Sequence, residues 1–295
     1  MKIADFFYRV VKNFRFLPKK TFLKVRYRYY NGKKLNLDNP VDFNEKIQWL
    51  KYYYHVPLQT QLADKYRVRD YVSKMIGEQY LNTLYGVYKN PDDIDFDQLP
   101  EQFVFKANHA SSTNMIVKDK SKLDIKKAKK TMAKWLKHDQ YKNVGYEWAY
   151  KNIEPLLICE AYLEDKKMGS LTDYKFYCFN GEPKYITAQS DVLGKHFYDL
   201  DWKILPFSWI NDYEGSIPKP ETFEEMKKLA EKLADRLPFV RVDFYLIDGK
   251  TVFGEMTFYP TDGKDPYYPR EYNKIVGDYM KLPEIPEGEK EITHY

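Results

Sequence analysis

Only two cysteines, Cys159 and Cys178, occur in 295 residues, and both fall inside apolar strand-like runs. That excludes a disulfide framework and reads as buried thiols in a reducing, cytoplasmic setting. The five histidines form no cluster and no C-x-x-C pair is present, so a zinc site is not expected. Long uncharged apolar runs are missing and the mean hydropathy is -0.68, which argues against a transmembrane helix. A G-x-x-x-x-G-K-[S/T] phosphate loop, an internal repeat and low-complexity tracts are also absent.

What is present suits a folded protein with a substantial core: 43% hydrophobic residues, 17% of the chain aromatic. The net charge of +5 is unevenly distributed. Residues 1–35 hold eleven Lys or Arg against a single acid, Asp5, so the remainder of the chain is net acidic. This basic arm is not a signal peptide, because Arg9, Lys12 and Arg15 interrupt its apolar positions. Ile3, Phe6, Phe7, Val10, Val11, Phe14 and Leu17 recur at helical spacing. Such a helix suits either an anionic membrane surface or docking on the protein's own body. Nucleic acid is not an expected partner, since the basic charge is confined to one end and no binding motif accompanies it.

Pro40 ends the arm. Asp42 and Glu45 have capping-box spacing and open a helix through about residue 54. A second helix follows Asp64-Lys65 and stops at Gly77. Residues 102–107 read as a strand, 108–114 as a loop of small residues, and Ile116-Val117 as a short return. The Lys-rich stretch 124–138 is helical, and 156–162 is a buried strand. Asn180-Gly181 joins strands 173–179 and 182–189 into a hairpin. Thr222 and Glu225 have the spacing of another capping box, with a helix to about residue 236. Helices and antiparallel hairpins in this order predict an α+β fold rather than a doubly wound parallel sheet.

The last hairpin carries the most chemistry. Residues 239–246 and 251–258 alternate as strands around Asp248-Gly249. A three-residue loop with Gly249 left-handed puts Arg241, Asp243, Glu255 and Thr257 on one face. A two-residue Asp-Gly turn leaves the carboxylates of Asp243 and Glu255 on opposite faces. In the first register the two acids repel unless a cation lies between them, and a divalent ion or Arg241 fills that place. Elsewhere Lys106 ends an apolar strand before Ala-Asn-His-Ala-Ser-Ser-Thr-Asn, a setting that suits a polyphosphate. Glu160 ends another strand, where an acid suits an exocyclic amine or is a plain strand-end charge. Asp173 and Lys175 share one face of the Asn-Gly hairpin.

These elements share their order and wording with a known family. The relevant runs are Phe43-Asn-Glu-Lys-Ile-Gln-Trp49, Asp64-Lys-Tyr-Arg-Val-Arg-Asp-Tyr71, Phe103-Val-Phe-Lys-Ala-Asn-His109, Asp173-Tyr-Lys-Phe-Tyr-Cys-Phe-Asn-Gly181, Val240-Arg-Val-Asp243 and Glu255-Met-Thr257. Across residues 41–270 the chain resembles the ATP-grasp superfamily, specifically its TupA-like (teichuronopeptide-biosynthesis) branch. The resemblance implies two α+β lobes whose antiparallel sheets grip ATP, plus the helical basic N-terminal extension. The expected divisions are an arm (1–40), a helical region (41–100), a small lobe with the phosphate loop (101–155) and a large lobe with the metal hairpin (156–295).

By the same resemblance Lys65 and Lys106 bind ATP phosphates beneath a loop of Ser111, Ser112 and Thr113. Glu160 and the backbone near Leu163 hold adenine, Asp173 meets the ribose, and Lys175 belongs to the nucleotide site. Asp243 and Glu255 chelate Mg²⁺ with Thr257 as a weaker ligand, and Arg241 stabilises the transferring phosphoryl group. The implied reaction joins a carboxylate to an amine through an acyl phosphate, with positioning and cationic clamps supplying most of the catalysis. The sequence departs from the branch at Ala110 and Ser112, where glycines are usual, and at Thr257, where many ATP-grasp enzymes have Asn.

The expected substrates are a uronic acid or other sugar-linked carboxylate and an amine or amino acid, in the biosynthesis of capsule or cell-surface polysaccharide. The expected location is cytoplasmic, with peripheral association at the inner face of the membrane through residues 1–35. Two rivals stand beside this reading: a glycosyltransferase using Asp199-Leu-Asp201 as a metal motif, and a kinase that stops at phosphorylation.

Overall fold

The computed structural model describes residues 14, 16–165, 170–209 and 215–294. Two antiparallel sheets organise it. The smaller has the order β1 (Leu84–Tyr88), β4 (Leu157–Ala161), β2 (Phe103–Ala107), β3 (Asn114–Val117). The larger runs β7 (Gly194–Tyr198), β6 (Glu182–Ser190), β5 (Thr172–Phe179), β8 (Phe239–Ile247), β9 (Lys250–Thr257). All ladders within them are antiparallel. Helices cover one face of each sheet, giving the expected α+β architecture.

In the smaller sheet Phe103, Phe105, Leu157 and Cys159 point to one face. There they pack on Ala128 and Met132 of helix α5 (Ile125–Leu136), whose N-cap Asp124 accepts the Lys127 N–H at 2.9 Å. Period-two alternation leaves Val104, Lys106, Ile158 and Glu160 on the opposite face. Strand β4 therefore belongs to the smaller sheet, although the sequence reading placed it at the start of the larger lobe.

The larger sheet buries Phe176, Cys178, Val240, Val242 and Phe244 in the main core, where Phe223, Met226, Ala230 and Leu233 of helix α6 (Phe223–Ala234) also lie. Burial pushes the thiol of Cys159 up to about 12 and that of Cys178 higher still, as inert core groups. The N-terminal helices join the same core. These are α1 (Lys19–Asn31), α2 (Phe43–Tyr53), α3 (Pro57–Ala63) and α4 (Val68–Met75), followed at the other end of the chain by α7 (Tyr272–Asp278). Phe43 meets the rings of Phe179, Phe239 and Tyr267 edge-on at 5.1–5.9 Å.

The capping residues divide into one success and one failure. Glu45 accepts the Asp42 N–H at 3.2 Å, as its spacing predicts. Thr222, however, makes no capping bond, and its hydroxyl is buried without a partner. Glu225 is drawn away instead by the hydroxyls of Tyr80 (2.8 Å) and Thr251 (2.6 Å). Tertiary partners outcompete the local motif.

The described part of the basic arm docks on the body. Phe22, Leu23 and Tyr27 of α1 are buried, and Arg26 pairs with Asp262 at 2.5 Å. The expected helix over positions 3–17 lies largely outside the described residues. Among the described residues no helix is long and apolar enough to cross a membrane.

Candidate functional site

The Asp248-Gly249 connection is a two-residue turn, with Ile247 opposite Lys250 and positive φ at both turn residues (49° and 79°). The three-residue loop foreseen as the condition for a shared face is therefore not what forms. A β-bulge absorbs the odd residue instead: Asp243 faces Glu255 while Phe244 faces Phe253, leaving Gly254 unpaired. Beyond the bulge Arg241 lies opposite Thr257. All four side chains thus share one face, by a different route from the expected one. A Cβ on Gly254 would come within 3.0 Å of the Asp243 carbonyl and 3.1 Å of the Tyr245 ring, so the bulge is closely packed.

Arg241 lies between the two acids. Its Nε and Nη2 donate to the two oxygens of Asp243 (2.7 and 2.6 Å), and Nη2 also donates to Glu255 Oε1 (3.1 Å). Asp243 is buried, which pushes its carboxyl up against the pull of Arg241. Burial acts the same way on Glu255, but the cations of Lys65, Arg241 and Lys175 hold it down at about 2. Its side chain is 38% exposed, so one acid is sealed and the other open. The Thr257 hydroxyl donates to Glu255 Oε1 at 3.2 Å.

Strand β5 brings the next residues. Lys175 lies opposite Asp243 and Asp173 opposite Tyr245. Lys175 Nζ is 3.5 Å from Asp173 and 3.4 Å from Gln189 of β6.

The smaller sheet forms the facing wall. Lys106 Nζ meets Glu160 Oε2 at 2.8 Å, and Arg69 of α4 meets Glu160 Oε1 at 3.3 Å. Lys65 reaches the wall because Asp64, buried just after α3, accepts the N–H groups of Tyr66 and Arg67 and the side-chain amide of Asn108. The Lys65 N–H donates to the Asn108 carbonyl at 3.1 Å. Its Nζ donates to Ala110 O at 3.0 Å and stands 3.6 Å from Glu255, linking the two walls.

Between the sheets is a cavity of about 560 Å³. Its lining brings together Lys65, Lys106, Ser111, Ser112, Thr113, Glu160, Asp173, Lys175, Asp243 and Glu255 from the expected set. Gln189, Tyr245 and Asn114 also line it, without a local sequence signal of their own. Three expected residues are elsewhere. Arg241 and Thr257 contact the acids without lining the cavity, and Leu163 lies in the stretch after β4, outside the lining. Arg69 has no local sequence signal of its own; its pairing with Glu160 needs the fold. Ser112, in a glycine's usual place, does adopt the left-handed conformation (φ 56°).

Asp199-Leu-Asp201 does not reach the cavity. Asp199 Oδ1 accepts the N–H groups of Asp201 (2.9 Å) and Lys203 (2.8 Å), making an Asx turn after β7.

Several solved structures are similar in fold. D-alanine–D-alanine ligase from Helicobacter pylori is 15% identical over 77% of this chain and 60% of its own, with a TM-score of 0.43. The Bacillus anthracis D-alanine–D-alanine ligase complexed with ATP is 16% identical over 67% and 54%, at 0.37. Phosphoribosylamine–glycine ligase from Thermotoga maritima is 14% identical over 68% and 48%, at 0.37. The chain thus spans about half the length of these structures. No curated protein is similar enough in sequence to match. The model of TupA-like ATP-grasp proteins, by contrast, matches residues 45–281, a span that contains both sheets and every cavity-lining residue. With most of its length so matched, the chain belongs to the TupA-like ATP-grasp family.

Proposed function

We propose that the protein is an ATP- and Mg²⁺-dependent carboxylate–amine ligase that forms an amide on a uronic acid or another sugar-linked carboxylate, in the biosynthesis of capsule or other cell-surface polysaccharide. Family membership supports the ATP-grasp part of this reading. The observation that carries the ligase part is the placing of Asp243 and Glu255 side by side on one wall, opposite Lys65, Lys106 and the 110–114 loop on the other.

The donor set fits a divalent ion. Two carboxylates supply hard oxygens, one from a half-exposed acid held ionised by its neighbours. Mg²⁺ there would neutralise charge on the transferred phosphoryl group. Arg241, lying between the two acids, fixes the orientation of both, and Thr257 holds one oxygen of Glu255. Lys65 and Lys106 offer cations to the polyphosphate, and Glu160 with Arg69 keeps Lys106 in place. Transfer of a phosphoryl group to the carboxylate gives an acyl phosphate and ADP. Attack by the amine then releases phosphate and a proton.

The decisive assay incubates the protein with ATP, Mg²⁺, a nucleotide-linked uronic acid and amino acids. The expected outcome is ADP, phosphate and an amide adduct by mass spectrometry. Nucleoside diphosphate released from the sugar donor with no ADP formed from ATP overturns the reading in favour of glycosyl transfer. ADP formation with a stable phosphorylated product identifies a kinase. The reading places the work in the cytoplasm, with the N-terminal segment resting on the inner face of the membrane. Deleting residues 1–13 is expected to weaken binding to anionic vesicles, and unchanged binding removes the membrane role.

A further inference from the structure

One cation on the ligand-facing side of the larger sheet takes no part in the arrangement above. Lys195, on edge strand β7, lies opposite Gln189 of β6, which lies opposite Asp173 of β5. That register puts Lys195 on the face that carries Lys175, Asp243 and Arg241. Its Nζ is 3.8 Å from the centre of the Trp209 ring and 5.5 Å from that of Phe197. Among the described residues it has no hydrogen bond and no ion pair; these aromatic contacts are what hold it.

Its neighbours differ in this respect. Lys175 has Asp173 and Gln189 within 3.5 Å, and Arg241 has both Asp243 and Glu255. The acids of this wall are already taken by other cations. A half-buried ammonium without a counter-ion is costly unless an anion arrives to meet it. Burial, together with the cations of Lys175 and Arg241, pushes Lys195 down to about 7, while Asp243 and Asp265 pull the other way. A carboxylate placed beside it would favour the charged form and restore the full ion pair.

We propose that Lys195, seated on Trp209, binds the carboxylate-bearing substrate at the β7 side of the sheet, away from the nucleotide phosphates held by Lys65 and Lys106. This rests on the carboxylate–amine ligase reading, and makes Lys195 a specificity residue for an anionic sugar rather than for ATP.

The test uses the full chain with ATP and Mg²⁺ present. A brief pulse of an amine-acetylating reagent near neutral pH, read lysine by lysine by mass spectrometry, is expected to modify Lys195. UDP-glucuronate or UDP-galacturonate should protect it, and UDP-glucose should not. In uronate-dependent ADP formation, Lys195→Met should raise KM for the uronate about tenfold or more and leave KM for ATP unchanged. Lys195→Arg should recover part of that loss. The inference is overturned if Lys195 resists acetylation, if no uronate protects it, if the neutral sugar protects it equally, or if Lys195→Met raises KM for ATP as much as for the uronate. Uronate-dependent ADP formation without protection sinks this inference alone. Protection without ADP formation sinks the ligase reading and leaves the binding site standing.

Discussion

The two walls of the cavity are built on the same plan, antiparallel strands with one face on a core, yet they carry opposite charge logic. The smaller sheet and its neighbours present Lys65, Lys106 and Arg69 against a single acid, Glu160. The larger sheet sets Asp173, Asp243 and Glu255 among Lys175 and Arg241, with Lys195 apart on the β7 edge. One wall has positive charge to spare and suits an anion. The other sets two carboxylates side by side at Asp243 and Glu255 and suits a metal cation there. A magnesium nucleotide carries both kinds of charge, so the difference between the walls makes them partners.

The comparison is broken most severely at the acidic wall. Glu255→Gln removes one carboxylate of the facing pair and leaves Arg241 to Asp243 alone. ATP turnover is expected to fall about a thousandfold. Titration with Mg²⁺ should show the residual activity saturating at much higher metal concentration, while nucleotide binding without metal stays close to wild type.

A second expectation concerns the support of the cationic wall. Gln140 lies 3.3 Å from both Ser111 Oγ and Glu147 Oε2, tying the loop to a buried acid. Burial and the nearby Asp262 push Glu147 up to about 7, against Lys51. An acid raised on folding binds more protons in the native state, so stability falls as pH rises from its unfolded value near 4.5 to about 7. Glu147→Gln should remove that loss, stabilising the protein above pH 7 by on the order of 3 kcal/mol and changing little below pH 4.5. Thermal melts across that range check it.

Lys106→Met should affect the nucleotide rather than the metal. KM for ATP is expected to rise about ten- to a hundredfold, with the Mg²⁺ dependence unchanged. If Lys106→Met and Glu255→Gln alter the metal dependence alike, the division of labour between the walls is wrong. The smallest effect is expected at Gly254→Ala, which crowds the Asp243 carbonyl and should cost about 1 kcal/mol in denaturant unfolding.

Much of this was legible in the chain because its signals are local. Asn180-Gly181 and Asp248-Gly249 both form two-residue turns with positive φ, and the strands on either side follow the alternation. Lys106 and Glu160 were found as charges ending apolar runs. Their 2.8 Å contact was not, because they lie 54 residues apart and only sheet order makes their strands neighbours. Strand β1 escaped notice since Leu84–Tyr88 is short, broken by Gly86 and mostly half-buried. Thr222 misled because capping spacing says nothing of a tertiary hydroxyl competing for Glu225. The bulge escaped because Gly254 could as well be an ordinary strand residue, and only pairing shows which residue has no partner.

That bulge makes the hairpin a parity device. The two-residue turn and the unpaired Gly254 each count as one term in an even–odd sum, and the sum decides which side of the sheet Glu255 occupies. Pairing Gly254 regularly with Asp243, with no bulge, would send Glu255 and Thr257 toward the core and bring Met256 out. Deleting Gly254 would instead leave an unbulged ladder with Glu255 still opposite Asp243 and all four side chains on the cavity side. The site is therefore indifferent to whether a bulge or the turn absorbs its odd residue, and intolerant only of that residue being paired in the ladder.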